Sequence, residues 1–103
     1  MKLSIDTSDS EKVIVDIDGR REISDARIEK SQKLLSVISD FLAEQNAKLS
    51  DITEIEVNTG PGSFTGLRVG ISVANTLGWA LGIKVNSQND FKTASFAKTS
   101  EVL

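Results

Sequence analysis

Apolar and polar residues alternate along the first quarter of the chain. Residues 2–7 and 12–17 each place an apolar side chain at every second position, a period that is typical of β-strands with one buried face. The polar residues between these runs predict a turn, and Asp18-Gly19 predicts a tight hairpin turn, because glycine accepts a positive φ. A third extended run follows at residues 20–28. The pattern therefore predicts three strands joined by hairpins.

The period changes to that of a helix at Glu29. Apolar side chains then recur along one helix face, with charged residues opposite them. Val37 makes this apolar face wider than one contact with a sheet requires. A short loop leads into another apolar run at residues 54–58, which predicts a fourth strand. The residues of the apolar face are Leu34, Leu35, Ile38, Phe41 and Leu42.

Residues 57–85 are the most distinctive part of the sequence. A Gly/Pro turn at residues 60–62 opens a long segment without another proline, which predicts a helix and then a fifth strand at residues 83–85. Every fourth residue of the helix is small, so one ridge has almost no side chains. The residues of this glycine ridge are Gly62, Gly66, Gly70, Ala74, Gly78 and Gly82.

The glycine ridge needs an explanation, since each glycine inside a helix costs about 0.5–1 kcal/mol relative to alanine. A ridge without side chains lets another backbone approach closer than the usual distance of about 8–10 Å between helix axes. We expect this neighbour to be another chain, because the helix has more than one packing face. The alternative is that the ridge seats the helix on its own sheet.

The predicted order of elements is three hairpin-connected strands, a helix, a strand, a helix and a strand. The two strand-helix-strand units require parallel pairing and the hairpins require antiparallel pairing, so the predicted sheet is mixed and has five strands. This α/β arrangement with two main helices matches the ribonuclease H-like half-domain of the actin-like ATPase superfamily. We assign residues 1–87 to this lobe and residues 88–103 to a polar tail in which a short helix could form.

The composition limits the chemistry. The 103 residues fit one domain, and a net charge of -3 argues against direct nonspecific binding of nucleic acid, which needs a concentrated basic face. The chain has no cysteine and no histidine. Thiolate nucleophiles, histidine bases and zinc sites of the usual kind are therefore excluded.

The sequence predicts neither a secretory signal nor a membrane span. Asp6 interrupts the N-terminal residues before the apolar core of a signal can form. The longest apolar segment, residues 66–85, contains Arg68, Asn75 and Lys84, which argues against a membrane helix. We expect the chain to act in the cytoplasm.

The turn at residues 60–66 precedes a helix, where free N–H groups and the helix dipole favour an anion. It has no P-loop lysine, and its third glycine comes one residue too late for a dinucleotide-binding motif. A structural turn in which Ser63 or Thr65 caps the helix is the preferred interpretation. A weak ATPase or phosphotransferase that uses this turn is the alternative.

Asp6 ends the first strand, where a nuclease of the ribonuclease H type has a metal-binding carboxylate. Two-metal catalysis needs several carboxylates, whereas the fourth strand ends in Asn58 and Thr59. We therefore expect Asp6 to bond backbone N–H groups of a turn. An actin-type ATPase would need a phosphate loop at residues 7–11, which here are acidic and lack glycine. The sequence predicts no catalytic residue, cofactor or metal.

Two motifs resemble those of the TsaB (YeaZ) family. They are IDTS at residues 5–8 and the longer GPGSFTGLRVG at residues 60–70, before the small-residue helix. The resemblance covers residues 1–85 and implies the ribonuclease H-like fold. It also implies a noncatalytic role beside the related TsaD protein in making the threonylcarbamoyladenosine modification of tRNA next to the anticodon. TsaD holds its catalytic metal on histidines, so the absence of histidine here points to the scaffold or activator subunit.

The resemblance also implies which partners bind and where. In the family, the helix after the third strand and the glycine-motif helix pack against the equivalent pair of a second subunit as a four-helix bundle. This implies a TsaD-like paralogue as the partner, a homodimer when the chain is alone, and a TsaE-like ATPase reached through the complex. The implied interface residues are Leu34, Val37, Ile38, Phe41, Leu67, Arg68, Gly70, Ile71, Ala74 and Asn75.

The chain departs from the family after residue 85. TsaB-like proteins usually continue into a second lobe, whereas a short polar tail follows here. The sequence is either a piece of the first lobe or a minimal family member that has lost the second lobe. The resemblance therefore implies nothing about contacts that a second lobe would make. A homo-oligomeric structural domain without a role in tRNA modification is the other alternative.

Overall fold

Two helices cover one face of a mixed β-sheet in the computed structural model, which describes residues 1–26 and 29–86. The main elements in chain order are β1 (Lys2–Asp6), β2 (Lys12–Ile17), β3 (Arg20–Asp25), α1 (Lys30–Glu44), β4 (Glu54–Val57) and α2 (Phe64–Leu81). A short 3-10 helix, Leu49–Asp51, lies between α1 and β4. Neither main helix of the described ranges has the length and hydrophobicity of a membrane span. The predicted tail at residues 88–103 lies outside the described residues.

The sheet order is β3-β2-β1-β4. β1 and β2 pair antiparallel, as do β2 and β3, while β4 returns beside β1 in parallel, with Ile5 opposite Val57. α1 makes the crossover that this parallel pairing requires. The mixed sheet and the two main helices confirm the predicted fold class.

The predicted fifth strand is reduced to one residue. Val85 forms an isolated parallel bridge with Ile55, so the described residues make a sheet of four strands and not five. Both ends of this segment are engaged otherwise: the Ile83 N–H donates to the Gly78 carbonyl of α2 at 2.9 Å, and the backbone of Asn86 is left-handed, with a φ of 54°. Its side-chain amide also bonds the N–H and the carbonyl of Val57, at 2.8 and 3.1 Å. A side chain therefore takes the place that a longer strand would fill.

Alternate strand residues and one face of each helix form the core. In β1, β2 and β4, the side chains that point toward the helices are buried, whereas their neighbours on the other sheet face are partly or fully exposed. This alternation is the one that the period-two pattern predicts. Fully buried core residues include Leu3, Ile17, Leu34, Ile55 and Ile71.

Local sequence signals set both ends of α2. Ser63 precedes the helix, and its hydroxyl accepts the N–H of Gly66 at 3.2 Å. Ser63, not Thr65, is therefore the N-cap. Gly82 ends the helix in the left-handed conformation, with a φ of 70°, which glycine accepts without a Cβ clash.

The glycine ridge of α2 packs on the end of β1 in the same chain. A Cβ added to Gly66 would overlap the carbonyl oxygen of Thr7, and a Cβ added to Gly70 would overlap the Thr7 hydroxyl. A Cβ added to Gly62 would lie 2.5 Å from the Ser8 Cβ. The close approach that the glycines predict is present, but these three seat the helix on its own sheet. For these three glycines the structure supports the alternative, in which the ridge seats the helix on its own sheet, and the second chain stays a prediction.

Candidate functional site

Thr7 joins β1 to α2 through its hydroxyl. The side chain is fully buried, donates a hydrogen bond to the Gly66 carbonyl at 2.5 Å and accepts one from the Gly70 N–H at 3.1 Å. In an α-helix, two backbone groups at this spacing normally bond to each other. The Thr7 hydroxyl therefore bonds to both members of one i to i+4 pair of α2. It can come this close only because Gly66 and Gly70 have no side chains.

Asp6 stabilises the turn that follows β1 and connects it to the end of β4. Its Oδ1 accepts the N–H and the hydroxyl of Ser8, at 2.9 and 2.6 Å, and the side-chain amide of Asn58 at 3.2 Å. Partial burial raises the pKa of this carboxyl, but the hydrogen bonds from Ser8 and Asn58 outweigh burial and hold the pKa below its ordinary value. Asp6 is thus the turn acceptor that the sequence predicts.

The turn before α2 bonds to the turn after β1. The Ser63 N–H donates to the Ser8 carbonyl at 2.8 Å, and the Gly60 N–H donates to the Asn58 side chain at 3.0 Å. Two N–H groups of this helix start, those of Ser63 and Gly66, therefore already have partners in the fold. Within residues 1–26 and 29–86, no three His, Cys, Asp or Glu side chains are grouped to hold a metal ion. These contacts favour the structural interpretation of the turn.

Lys30 fixes the start of α1 at the same end of the molecule. Its ammonium group donates to the Asp9 carbonyl, in the turn between β1 and β2, at 2.5 Å. Burial lowers the pKa of Lys30, and the neighbouring Asp9 carboxylate raises it by less. The first turns of α1 and α2 are therefore both attached to the turn that follows β1.

Nine of the ten interface residues implied by the family resemblance are buried in this chain, and only Arg68 is exposed. The apolar face of a helix in a two-layer domain packs first on the domain's own sheet. Apolar character alone therefore selects the core faces of α1 and α2, and a partner would need other side chains of these helices. The buried residues are Leu34, Val37, Ile38, Phe41, Leu67, Gly70, Ile71, Ala74 and Asn75. Among the described residues, the Asn75 amide has no hydrogen-bond partner.

The sides of the two helices that point away from the sheet form a surface that we call the outer helix face. It consists of the exposed residues Leu35, Thr65, Arg68, Ser72, Thr76 and Trp79. Trp79 is the only tryptophan of the chain and is 69% exposed, and Leu35 on α1 is 49% exposed. A groove between the helices runs along this face and reaches Ser31 of α1 and Val69 of α2. The outer helix face therefore combines short polar side chains with exposed apolar area.

Arg68 carries the positive charge of the outer helix face. Its guanidinium carbon lies 5.6 Å from the centre of the Phe64 ring, a distance typical of a cation–π contact. The interface residues implied by the family resemblance include Arg68 but neither Ser72 nor Trp79. These two residues lie on the side of α2 opposite the glycine ridge, where exposed residues recur at helical spacing. That spacing is the sequence signal that identifies them.

Comparison with known proteins places the chain in a family. A protein-family model described as "TsaD: tRNA N6-adenosine threonylcarbamoyltransferase" matches residues 24–96. The tRNA threonylcarbamoyladenosine biosynthesis protein TsaB of Escherichia coli (strain K12) is 40% identical over 57 residues, which are 55% of this chain and 24% of that protein. The protein of the same name from Bacillus subtilis (strain 168) is 32% identical over 63 residues, 61% of this chain and 28% of that protein. The chain belongs to the TsaB (YeaZ) family.

Solved structures agree with this TsaB assignment. YeaZ from Pseudomonas aeruginosa has a TM-score of 0.69 and 34% sequence identity, with 82% of this chain and 41% of that chain covered. A second structure, described as an uncharacterized protein with similarity to peptidase YEAZ from Pseudomonas aeruginosa, has a TM-score of 0.70 and 34% sequence identity, with 82% of this chain and 40% of that chain covered. The chain therefore has the ribonuclease H-like fold of TsaB. It spans about a quarter of the length of the curated relatives that it matches.

The two motifs that carry the TsaB resemblance meet in space. Thr7 bonds to the backbone of α2 at Gly66 and Gly70, and Ser8 packs against Gly62. In this TsaB-family chain, the motifs at residues 5–8 and 60–70 therefore build the junction between β1 and α2. Gly62, Gly66 and Gly70 of the longer motif are required by the close approach of Thr7 and Ser8 of the shorter one.

Proposed function

We propose that this chain acts by binding, as a noncatalytic scaffold or activator of a TsaD-like paralogue in tRNA threonylcarbamoyladenosine modification. Membership of the TsaB family supports the pathway. The observation that carries the binding role is the outer helix face, where Trp79, 69% exposed, follows a row of short polar side chains on α2. A TsaE-like ATPase would join this complex through the paralogue, and the assembly would work in the cytoplasm.

The outer helix face has the features of a site for partner helices. Thr65, Ser72 and Thr76 are short, so a second helix can approach this side of α2 closely. Trp79 and Leu35 supply exposed apolar area, and tryptophan is enriched among residues that dominate binding energy. Arg68 offers a positive charge that an acidic side chain of the paralogue would match.

The strand-end groups favour a noncatalytic role. Asp6 is the carboxylate at the end of β1, and its hydrogen bonds stabilise the adjacent turn. The helix start at Ser63 is bonded to Ser8. The groups that a nuclease or an ATPase of related fold would use are therefore engaged in the fold.

The test is the molar mass, from light scattering on a sizing column, of this chain mixed with the TsaD-like paralogue of the same organism. We expect a one-to-one complex. Trp79→Ala removes the exposed ring and Ser72→Arg blocks close approach, so each should weaken the complex by about tenfold or more. Leu49→Ala is the matched control, because Leu49 is 44% exposed but lies outside the outer helix face.

Each variant must first show the circular dichroism and thermal midpoint of the parent chain. The proposal would be refuted if the parent chain forms no complex with the paralogue. Equal binding by the parent and the Trp79, Ser72 and Leu49 variants would place the interface elsewhere on the molecule.

A further inference from the structure

The amide of Asn75, on α2, is buried without hydrogen bonds. The side chain is 7% exposed, and neither Oδ1 nor Nδ2 has a hydrogen-bond partner within residues 1–26 and 29–86. Thr7, which is also polar and buried, makes two hydrogen bonds. A buried amide that makes none has lost its contacts with water and gained no bond in return, so it destabilises the chain. A native fold that keeps such a group calls for an explanation, and a hydrogen bond formed in a complex supplies one.

Asn75 belongs to a row of residues along α2 whose other members are exposed. Arg68, Ser72, Asn75 and Trp79 follow one another at intervals of four, three and four residues. This is the spacing at which one helix presents a seam to another helix. Arg68, Ser72 and Trp79 belong to the outer helix face. The amide of Asn75 therefore lies between side chains that a partner helix can reach.

The row lies on the side of α2 that points away from α1. α1 packs on β2 and β3, whereas α2 packs on β4 and β1. Val69 and Val73 line the groove between the two helices, and Asn75 is about 160° around the helix from Val73. α1 is therefore on the far side of α2 from this amide and cannot supply the missing hydrogen bonds.

Trp79 lies one turn after Asn75 and leans toward it. Helix side chains lean toward the N-terminus of their helix, so a residue covers surface that belongs to the turn before it. The Trp79 side chain is 69% exposed, and exposed side chains change rotamer rapidly. Side chains at interfaces commonly change rotamer on binding. A partner that engages the Trp79 ring can therefore uncover the amide beside it.

The amide selects the chemistry of the group that it can bind. Its Oδ1 accepts a hydrogen bond and its Nδ2 donates one, so a second amide side chain satisfies both atoms at once. A carboxylate would satisfy only Nδ2, and an ammonium group would satisfy only Oδ1. The backbone of a partner helix is also unsuitable, because its N–H and C=O groups bond to each other.

We propose that Asn75 sets the register of the TsaD-like paralogue on the outer helix face, by pairing with an asparagine or glutamine side chain of a partner helix. The inference rests on the proposed function and names the chemistry that the paralogue presents there. A single buried asparagine in a helix seam fixes the register at a cost in stability, since every other register leaves the amide without a partner. Trp79 supplies apolar contact, and Asn75 determines specificity.

Asn75→Leu tests this role, because leucine keeps the branched shape of the side chain and removes the amide. The chain alone should gain about 4 °C or more in thermal midpoint, since an unpaired amide is no longer buried. Its affinity for the paralogue, measured by titration calorimetry, should fall about tenfold or more, because the partner amide is then left unpaired. A residue with a purely structural role would not make the chain more stable and its complex weaker.

Leu77→Met is the matched control. Leu77 is 9% exposed, lies on the same helix and belongs to the core, and methionine nearly conserves its volume. This variant should bind the paralogue as tightly as the parent chain does. It shows whether a change in the packing of α2 is enough to alter the affinity.

A leucine scan of the paralogue identifies the second amide. Each asparagine and glutamine on its surface helices is changed to leucine in turn, and one of these variants should bind the parent chain about tenfold more weakly. The same variant should bind the Asn75→Leu chain with the affinity regained, because two apolar groups then replace two amides.

The outcomes separate this inference from the proposed function. If the parent chain forms no complex with the paralogue, both are refuted. If the parent complex forms and Asn75→Leu binds with equal affinity, only the role of Asn75 is overturned. A lower thermal midpoint for Asn75→Leu would also overturn it, since the amide would then have a partner within the chain. The same holds if Asn75→Leu restores the affinity of no leucine variant of the paralogue.

Discussion

At the scale of single residues, Asp6 and its donors hold the ends of β1 and β4 together. The carboxylate accepts three hydrogen bonds, from the Ser8 N–H, the Ser8 hydroxyl and the Asn58 amide. These bonds favour the ionised form, so the pKa of Asp6 is lower in the folded chain than in the unfolded one. Ionised Asp6 therefore stabilises the fold. This contribution is complete above about pH 5, declines as the unfolded chain begins to bind the proton near its ordinary pKa of about 4, and is lost as the pH falls through the folded-state pKa.

We expect Asp6→Asn to make the free energy of unfolding less dependent on pH between about pH 5 and pH 2, because asparagine has no proton to gain in this range. Ser8→Ala keeps the carboxylate but removes one donor, so its pH dependence should lie between those of Asp6→Asn and the parent. Urea unfolding at a series of pH values measures both. If Asp6→Asn and the parent lose stability in parallel on acidification, the folded-state pKa of Asp6 is not lowered.

At the scale of elements, α2 depends on β1 for its position. Alanine in place of glycine would favour the helix by about 0.5–1 kcal/mol, but a Cβ at Gly70 would overlap the Thr7 hydroxyl. Overpacking a buried contact costs about 1–3 kcal/mol. The contact between the two elements should therefore outweigh the preference of the isolated helix.

Gly70→Ala should lower the free energy of unfolding by about 1 kcal/mol, since the difference between these two effects spans about 0–2.5 kcal/mol. Thr7→Ala removes the hydroxyl that Gly70 faces and should also destabilise the chain, since it leaves buried backbone groups of α2 without this partner. The double variant should be more stable than the sum of the two losses predicts, because the overlap is gone. Thermal or urea unfolding of the four chains measures the coupling, and strictly additive losses would show that α2 is not held at contact distance.

The elements are predictable from the sequence because burial of one face imposes a period on the chain. The alternation in β1 and β2 and the helical spacing in α1 follow this rule. The fifth strand is limited to Val85 because the Ile83 N–H bonds to the end of α2 and the Asn86 side chain bonds to Val57, and no hydrophobic pattern reports such bonds. The glycine spacing predicts a close approach, but it cannot show that the neighbour is Thr7 and not another chain.

The site was harder to predict than the fold. A wide apolar face on α1 gives the same sequence pattern whether all of it packs on the chain's own sheet and α2 or part of it binds a partner. The residues implied as an interface therefore lie mostly in the core. The outer helix face is polar except for Leu35 and Trp79, so hydrophobic periodicity does not identify it. Its position becomes clear only when the direction of the glycine ridge is known.

At the scale of the whole molecule, the outer helix face of this TsaB-family chain combines short polar side chains with the exposed ring of Trp79. The junction of Asp6, Thr7 and Ser8 with α2 supports the outer helix face, because it fixes how α2 lies on the sheet. The central claim is that the paralogue binds on the outer helix face.

The most direct test of this claim uses the single tryptophan of the chain. In a chain labelled with 5-fluorotryptophan, the fluorine resonance of Trp79 is measured by NMR before and after addition of the unlabelled TsaD-like paralogue. Trp79 is 69% exposed, so we expect its resonance to shift and its solvent isotope effect to fall as the ring becomes buried, with no change for Ser72→Arg at the same concentrations. A complex of the expected mass in which the Trp79 resonance keeps its position and its solvent isotope effect would contradict the account.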